Sequence, residues 1–233
     1  MFFGLDFMSP IFWSAFGSIM LANIVLSGDN AVVIAMAART LEPHQRSKAI
    51  FWGSAAAIIM RIVLTIVAIQ LLTLPYLKMI GAVLLVYIGV DLLKGEDEGE
   101  DHGKEINGLA AAIRTILIAD LVMSLDNVLA VAAAAKGNVP LLVLGLLVSI
   151  PLIVFGATLL TKVMERFPII ITIGAALLGF LAGEMLLTDP AITSRFGAMS
   201  EQTVTIGGIL GAALVVALGT YLQKRSKSPG TEG

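Results

Sequence analysis

The chain has 233 residues, 58% apolar and only 14% charged, with a mean hydropathy of +0.94. A soluble domain is closer to half apolar and a quarter charged, so the balance excludes an ordinary water-soluble fold and indicates repeated membrane crossing. The net charge of −2 comes with no basic stripe or aromatic platform for nucleic acid, and the absence of cysteine rules out disulfides and thiolate metal sites.

In chain order, the apolar runs predict seven transmembrane helices, over 11–38, 49–73, 76–93, 109–135, 139–161, 168–187 and 203–222. The start has no basic n-region or small-residue cleavage site, so the first apolar segment is expected to be retained. Pro10, Pro75, Pro140 and Pro168 sit near span starts, where a missing N–H is harmless. Basic residues sort by side. Arg39, Arg46 and Lys48, then Lys94, Lys104 and Arg114, then Lys162 and Arg166, then Lys224, Arg225 and Lys227 fall on one side, against Lys78, Lys136 and Arg195 on the other. This asymmetry predicts an N-terminus outside and a C-terminus in the cytoplasm. The run Gly95 to Glu105, rich in acids and including His102, reads as a solvated linker; a funnel that concentrates cations is the sharper alternative.

Two of the runs carry nearly the same motif, Ser27-Gly28-Asp29-Asn30 and Ser124-Leu125-Asp126-Asn127. Asn23 aligns with Asp120 just before them, and Pro75, Gly81 and Asp91 align later with Pro168, Gly174 and Glu184. Three spans per repeat is an odd number, so the second block must enter the membrane in the opposite orientation. Inverted repeats are a signature of secondary transporters that bind near the midplane. The expected fold is therefore an all-α, polytopic bundle. A first three-span repeat covers 1–93, an acidic cytoplasmic linker 94–108 and a second, inverted repeat 109–187. A loop, seventh span and cytoplasmic tail make up 188–233.

Asp29 and Asp126 both fall near mid-membrane, since ten helical residues from Arg39 to Asp29 span about 15 Å. A carboxylate at that depth costs at least ~2.5–3.5 kcal/mol. Asn23, Ser27 and Asn30 share a helix face, and Asp120, Ser124, Asp126 and Asn127 form the corresponding stripe. Gly28 is expected to let the first helix loosen and aim a carbonyl inward. Carboxylate, amide, hydroxyl and carbonyl oxygens suit hard divalent cations such as manganese, magnesium or calcium. His44 and His102 lie in connections, which argues against a histidine-rich zinc or copper site. Arg61 sits mid-span. With Asp29, Asp120 and Asp126 it leaves a charge of −2, enough for one divalent ion, and Asp120 is its expected partner. Plainer readings stand beside these: intramembrane Asn and Ser as helix-packing glue, and an aspartate as a structural ion pair with Arg61. Gly207 and Gly211 form a small-xxx-small step that fits either a homodimer face or packing within the chain.

Asn23-Ile24-Val25-Leu26-Ser27-Gly28-Asp29-Asn30-Ala31, Met60-Arg61-Ile62 and Asp120-Leu121-Val122-Met123-Ser124-Leu125-Asp126-Asn127 resemble the TerC family of integral membrane proteins, and within it the YjbE-type branch. The resemblance covers roughly residues 10–190. It implies a metal transporter of the bacterial cytoplasmic membrane that exports Mn²⁺, with no tightly bound cofactor. The family's metal-site aspartates carry over to Asp29 and Asp126, with Asn30 and Asn127 beside them; leucine replaces glycine at 125. No ATP-binding sequence is present, so a proton or other counter-ion, or the membrane potential, is the expected energy source. Two rivals stay open: an intramembrane aspartyl protease, and a non-transporting membrane scaffold linked to metal or tellurium stress.

Overall fold

The computed structural model describes residues 10–71, 74–94, 105–134 and 139–226, without the side chains of 10, 11, 15, 19, 21–27, 66–71, 105–107, 126–134, 139 and 226. Among the described residues it is all helix: α1 (Pro10–Ala38), α2 (Pro43–Leu71), α3 (Leu77–Lys94), α4 (Glu105–Ala134), α5 (Val139–Arg166), α6 (Ile169–Leu187), α7 (Pro190–Phe196) and α8 (Glu201–Ser226). Five contain stretches long and apolar enough to cross a membrane: Pro43–Thr65, Gly108–Leu125, Pro140–Arg166, Ile169–Leu187 and Glu201–Arg225. The described part of α1 contributes a shorter apolar stretch, Gly28–Ala38. In α3, Lys78, Asp91 and Lys94 fall within 18 residues.

Several boundaries differ from the sequence expectation. Helix α2 begins at Pro43, so His44, Arg46 and Lys48 lie in its first turns and not in a connection; Pro43 suits a first helical position because its missing N–H is an orphan there anyway. Helices α5 and α8 also run on past their apolar cores into Lys162 and Arg166, and into Lys224 and Arg225, because a basic last turn complements the helix dipole. Helix α4 starts at Glu105, inside the expected linker. The short α7 was not anticipated; Asp189 caps it, accepting the Ala191 N–H at 2.7 Å, and Pro190 opens it.

Large apolar side chains face outward on most of the long helices, including Trp52, Val83, Tyr87, Phe155, Ile173 and Leu210. A helix that is apolar all round needs either a protein interior or lipid around it. Inside, the helices pack in two groups. Helices α1, α2, α4 and α5 share one core built on Ile34, Ile50, Ile58, Ile116 and Leu146. Helices α3, α6 and α8 pack closely on one another, with Leu85, Leu178 and Val215 at the contacts. Within these groups α1 packs on α5 as α2 packs on α4, and the pairs α1–α4, α2–α5 and α3–α6 also meet.

Glycine decides the second group. A Cβ on Gly179 or Gly183 would strike the backbone of Gly211 or Gly207, and one on Gly211 would strike Gly179. The Gly207 and Gly211 step is thus filled by α6 of the same chain, the intrachain alternative of the two. Val215 and Leu93 then fill the space beside Gly89 and Gly219, joining α8 to α3.

At one end of the bundle, Arg39 donates to the Leu92 carbonyl (3.0 Å), Arg46 donates to the Arg39 carbonyl (3.0 Å) and pairs with Glu165, and Gln223 donates to the Leu93 carbonyl (3.3 Å). At α3's other end, Tyr76 has φ +68°, a left-handed conformation that is rare for a bulky residue.

Candidate functional site

The aspartate motif of α1 lies within an unbroken helix. Gly28 does not loosen it; the backbone is helical from Pro10 to Ala38, because each i→i−4 bond is available and no proline intervenes. A Cβ at Gly28 would meet nothing within 4 Å, so the glycine leaves open space beside Asp29. The Asp29 carboxylate is half-buried, and its Oδ1 accepts the Asn30 backbone N–H at 2.8 Å. Asn30 is 2% exposed, and among the described residues neither its amide oxygen nor its amide nitrogen has a hydrogen-bond partner. Buried amides are nearly always paired, since an unmade bond costs about 1–3 kcal/mol.

On α4, Asp120 and Ser124 face Arg61 from α2. Arg61 is 1% exposed. Its Nε donates to Ser124 Oγ at 3.0 Å, its Nη2 donates to Asp120 Oδ1, and Ser124 Oγ donates to Asp120 Oδ2 at 3.2 Å. The three side chains close a ring in which both carboxylate oxygens are occupied. Spacing explains the α4 side: Asp120 and Ser124 are four residues apart and so lie one above the other on the same face. Asp29 lies within electrostatic reach of both Arg61 and Asp120, which brings the α1 motif and the ring to one region of the α1–α4 seam.

Of the expected site residues, the structure therefore brings together Asp29, Asn30, Asp120, Ser124 and Arg61. It engages Asp120 and Ser124 with Arg61, while among the described residues Asp29 bonds only the Asn30 backbone N–H and the Asn30 amide has no partner. The side chains of Asn23, Ser27, Asp126 and Asn127 lie outside the described residues. Among the described residues no three histidine, aspartate or glutamate side chains cluster as a metal site. The ligands available here are oxygens from one carboxylate and one amide, with the second aspartate motif on the facing helix.

Sequence reading missed two polar features. A cavity of about 90 Å³ opens beside Arg39, Thr40, Asp91 and Thr115, toward the end of the bundle that carries the basic residues. Asp189 is buried between α6 and α7, where its carboxylate accepts N–H groups from Tyr76 (2.9 Å) and Met79 (3.2 Å) as well as from Ala191. Burial pushes this carboxyl up, but the backbone donors outweigh it and hold the group below its ordinary value. The Asp189-Pro190 pair, a cap before a first-turn proline, was the available signal for the second feature.

The profile of the "Integral membrane protein TerC family" matches residues 8–227. The chain belongs to the TerC family. It is 43% identical over 205 residues to "Uncharacterized membrane protein YjbE" of Bacillus subtilis (strain 168), covering 88% of this chain and 93% of that one. It is 26% identical to "Uncharacterized membrane protein YceF" of the same organism, covering 94% and 86%. It is also 25% identical to "UPF0053 inner membrane protein YoaE" of Escherichia coli (strain K12), covering 71% of this chain and 36% of that one. No solved structure gives a significant match. This TerC protein is an integral, multi-pass membrane protein with bacterial relatives.

Proposed function

We propose that this TerC protein is a secondary active transporter that exports divalent metal cations, Mn²⁺ foremost, through a midplane site at the α1–α4 seam. One observation carries the reading: Asn30 is buried with its whole amide unpaired among the described residues, directly beside a half-buried Asp29, in the middle of a predominantly apolar helix. A membrane protein retains such groups where a ligand completes them. Oxygen ligands favour hard divalent ions, and the choice of manganese follows the family resemblance. Asp126 and Asn127 would supply the matching ligands from α4.

The helix packing supports two inverted repeats, α1–α3 and α4–α6, with α8 additional. The pairs α1–α4, α2–α5 and α3–α6, together with the equivalence of α1–α5 and α2–α4, are the contacts an exchange of the two blocks would preserve. Seven spans, an external N-terminus, a cytoplasmic C-terminus and a location in the bacterial cytoplasmic membrane complete the reading. The span count follows from the apolar runs, the orientation from the sorting of basic residues, and the membrane from the inner-membrane relative of Escherichia coli. The protease rival needs two carboxylates that share a proton; it leaves unexplained the asparagine that follows each motif aspartate, Asn30 and Asn127, which ion coordination accounts for.

The test is ⁵⁴Mn²⁺ flux in proteoliposomes. The parent protein should move the ion, while Asp29→Asn and Asp126→Asn should lower transport at least tenfold with folding retained. Parent-like flux in both variants would remove the site assignment.

A further inference from the structure

The cavity beside Arg39, Thr40, Asp91 and Thr115 lies at the foot of the same α1–α4 seam that carries Asp29. On α1, Asp29, Met36 and Thr40 follow i, i+7 and i+11 spacing, so they share one face of the helix. On α4, Thr115, Val122 and position 126 have the same spacing and share a face in turn. Each threonine is thus about 16 Å along its helix from its motif aspartate, and the two threonines meet at one cavity.

Between the cavity and Asp29 these faces are apolar. Val33 and Met36 on α1, and Ala119 and Val122 on α4, are all buried. Val33 belongs to the same packed cluster as Ala119 and Val122, and Met36 lines the cavity itself. Below this layer the chemistry changes. At about 90 Å³ the cavity has room for several waters. Asp91 is exposed there, and among the described residues it makes no ion pair with Arg39, whose guanidinium donates instead to the Leu92 carbonyl at 3.0 Å. One carboxylate and two hydroxyls are oxygen ligands for a hard divalent ion that keeps part of its water shell. The nearby guanidinium weakens that attraction, which suits a station that must pass its ion on.

We propose that this cavity is the cytoplasmic receiving station for the exported divalent cation, held part-hydrated by Asp91, Thr40 and Thr115 until the apolar layer of Val33, Met36 and Val122 parts to admit it to Asp29. The proposal rests on the reading of Asp29 as a cation ligand and adds the route by which the ion arrives.

Flux of ⁵⁴Mn²⁺ from the cytoplasmic face, measured in inverted membrane vesicles, provides the test, together with Mn²⁺ binding to the full-length protein in detergent. Asp91→Asn should raise the KM for Mn²⁺ about tenfold at unchanged kcat, because it removes binding that precedes the transport step. It should keep the parent's equilibrium binding at Asp29. An unchanged KM, or loss of equilibrium binding, overturns the proposal and leaves the Asp29 reading standing. In this cysteine-free chain Thr115→Cys supplies a second readout. A cationic methanethiosulfonate applied from the cytoplasmic face should label it, and saturating Mn²⁺ should slow the labelling. Labelling indifferent to Mn²⁺ overturns the proposal in the same way. A parent protein that neither binds nor moves Mn²⁺ removes both.

Discussion

The Asp189 carboxylate accepts the backbone N–H of Tyr76, 113 residues away, and that bond holds Tyr76 in a left-handed conformation at the start of α3. The same carboxylate caps α7 and takes the Met79 N–H. One acid thus fixes the entrance to α3 against the exit of α6.

Asp189→Ala should lower stability in detergent by about 1–3 kcal/mol, since it leaves the backbone donors of Tyr76, Met79 and Ala191 without their shared acceptor. Asp189→Asn, which keeps one oxygen, should cost less. The folded carboxyl lies below its ordinary value of 3.8. Its contribution is therefore fully present above the unfolded value and fades as pH falls through the lower, folded one. The gap in Tm between parent and Asp189→Asn should be constant from neutral pH down to about 5 and close in stronger acid. A gap that persists in strong acid would mean that the charge is not responsible.

Arg61 and Asp120 should behave as one unit. Arg61→Gln alone strands a buried acid and should cost about 3–5 kcal/mol. Combining it with Asp120→Asn should recover part of that loss, with a coupling of about 0.5–3 kcal/mol in a double-mutant cycle read by Tm. Additive losses would show that the pair contributes nothing beyond its separate members.

Asn30 sets stability against function. Replacing a buried, unpaired amide with leucine removes an unmet hydrogen-bonding demand, so Asn30→Leu should raise stability by about 1–3 kcal/mol. The same change should abolish Mn²⁺ binding. A destabilised Asn30→Leu protein would mean that the amide has a structural partner in the folded state.

Gly183 meets the Gly207 backbone with no room for a side chain. Gly183→Leu should separate α6 from α8 and cost more than the ~1–3 kcal/mol typical of overpacking. Because the contact lies within one chain, size-exclusion or light-scattering mass should not change. A shift from dimer to monomer would instead assign the glycine step to an interface between copies.

Much of this was legible because the membrane simplifies the sequence. Apolar runs mark helices with little ambiguity, and α1, α3, α4 and α6 begin or end within a few residues of the expected spans. The Arg61 and Asp120 pair could be anticipated because charges so deep have few places to go. Helix ends were less legible, since α2 begins as helix before its apolar run and α5 and α8 continue as helix after hydropathy has fallen. At Gly28 local propensity misled: glycine permits a break, but nothing in α1 requires one. The glycine step on α8 left its partner open, because small residues specify close approach and not the identity of the neighbour.

The packing in two groups has a mechanical consequence. Helices α1, α2, α4 and α5 share one core around the seam, and α3 and α6, clamped by α8 through backbone-to-backbone glycine contacts, make a second group. Sliding of one group past the other would have to bend the short turn at Phe167 and Pro168 between α5 and α6 and would work against the Asp189 bond that anchors Tyr76 at the start of α3. Asp189 would then act as a brake on the relative motion of the two groups, a mechanical role beyond the capping of a short helix.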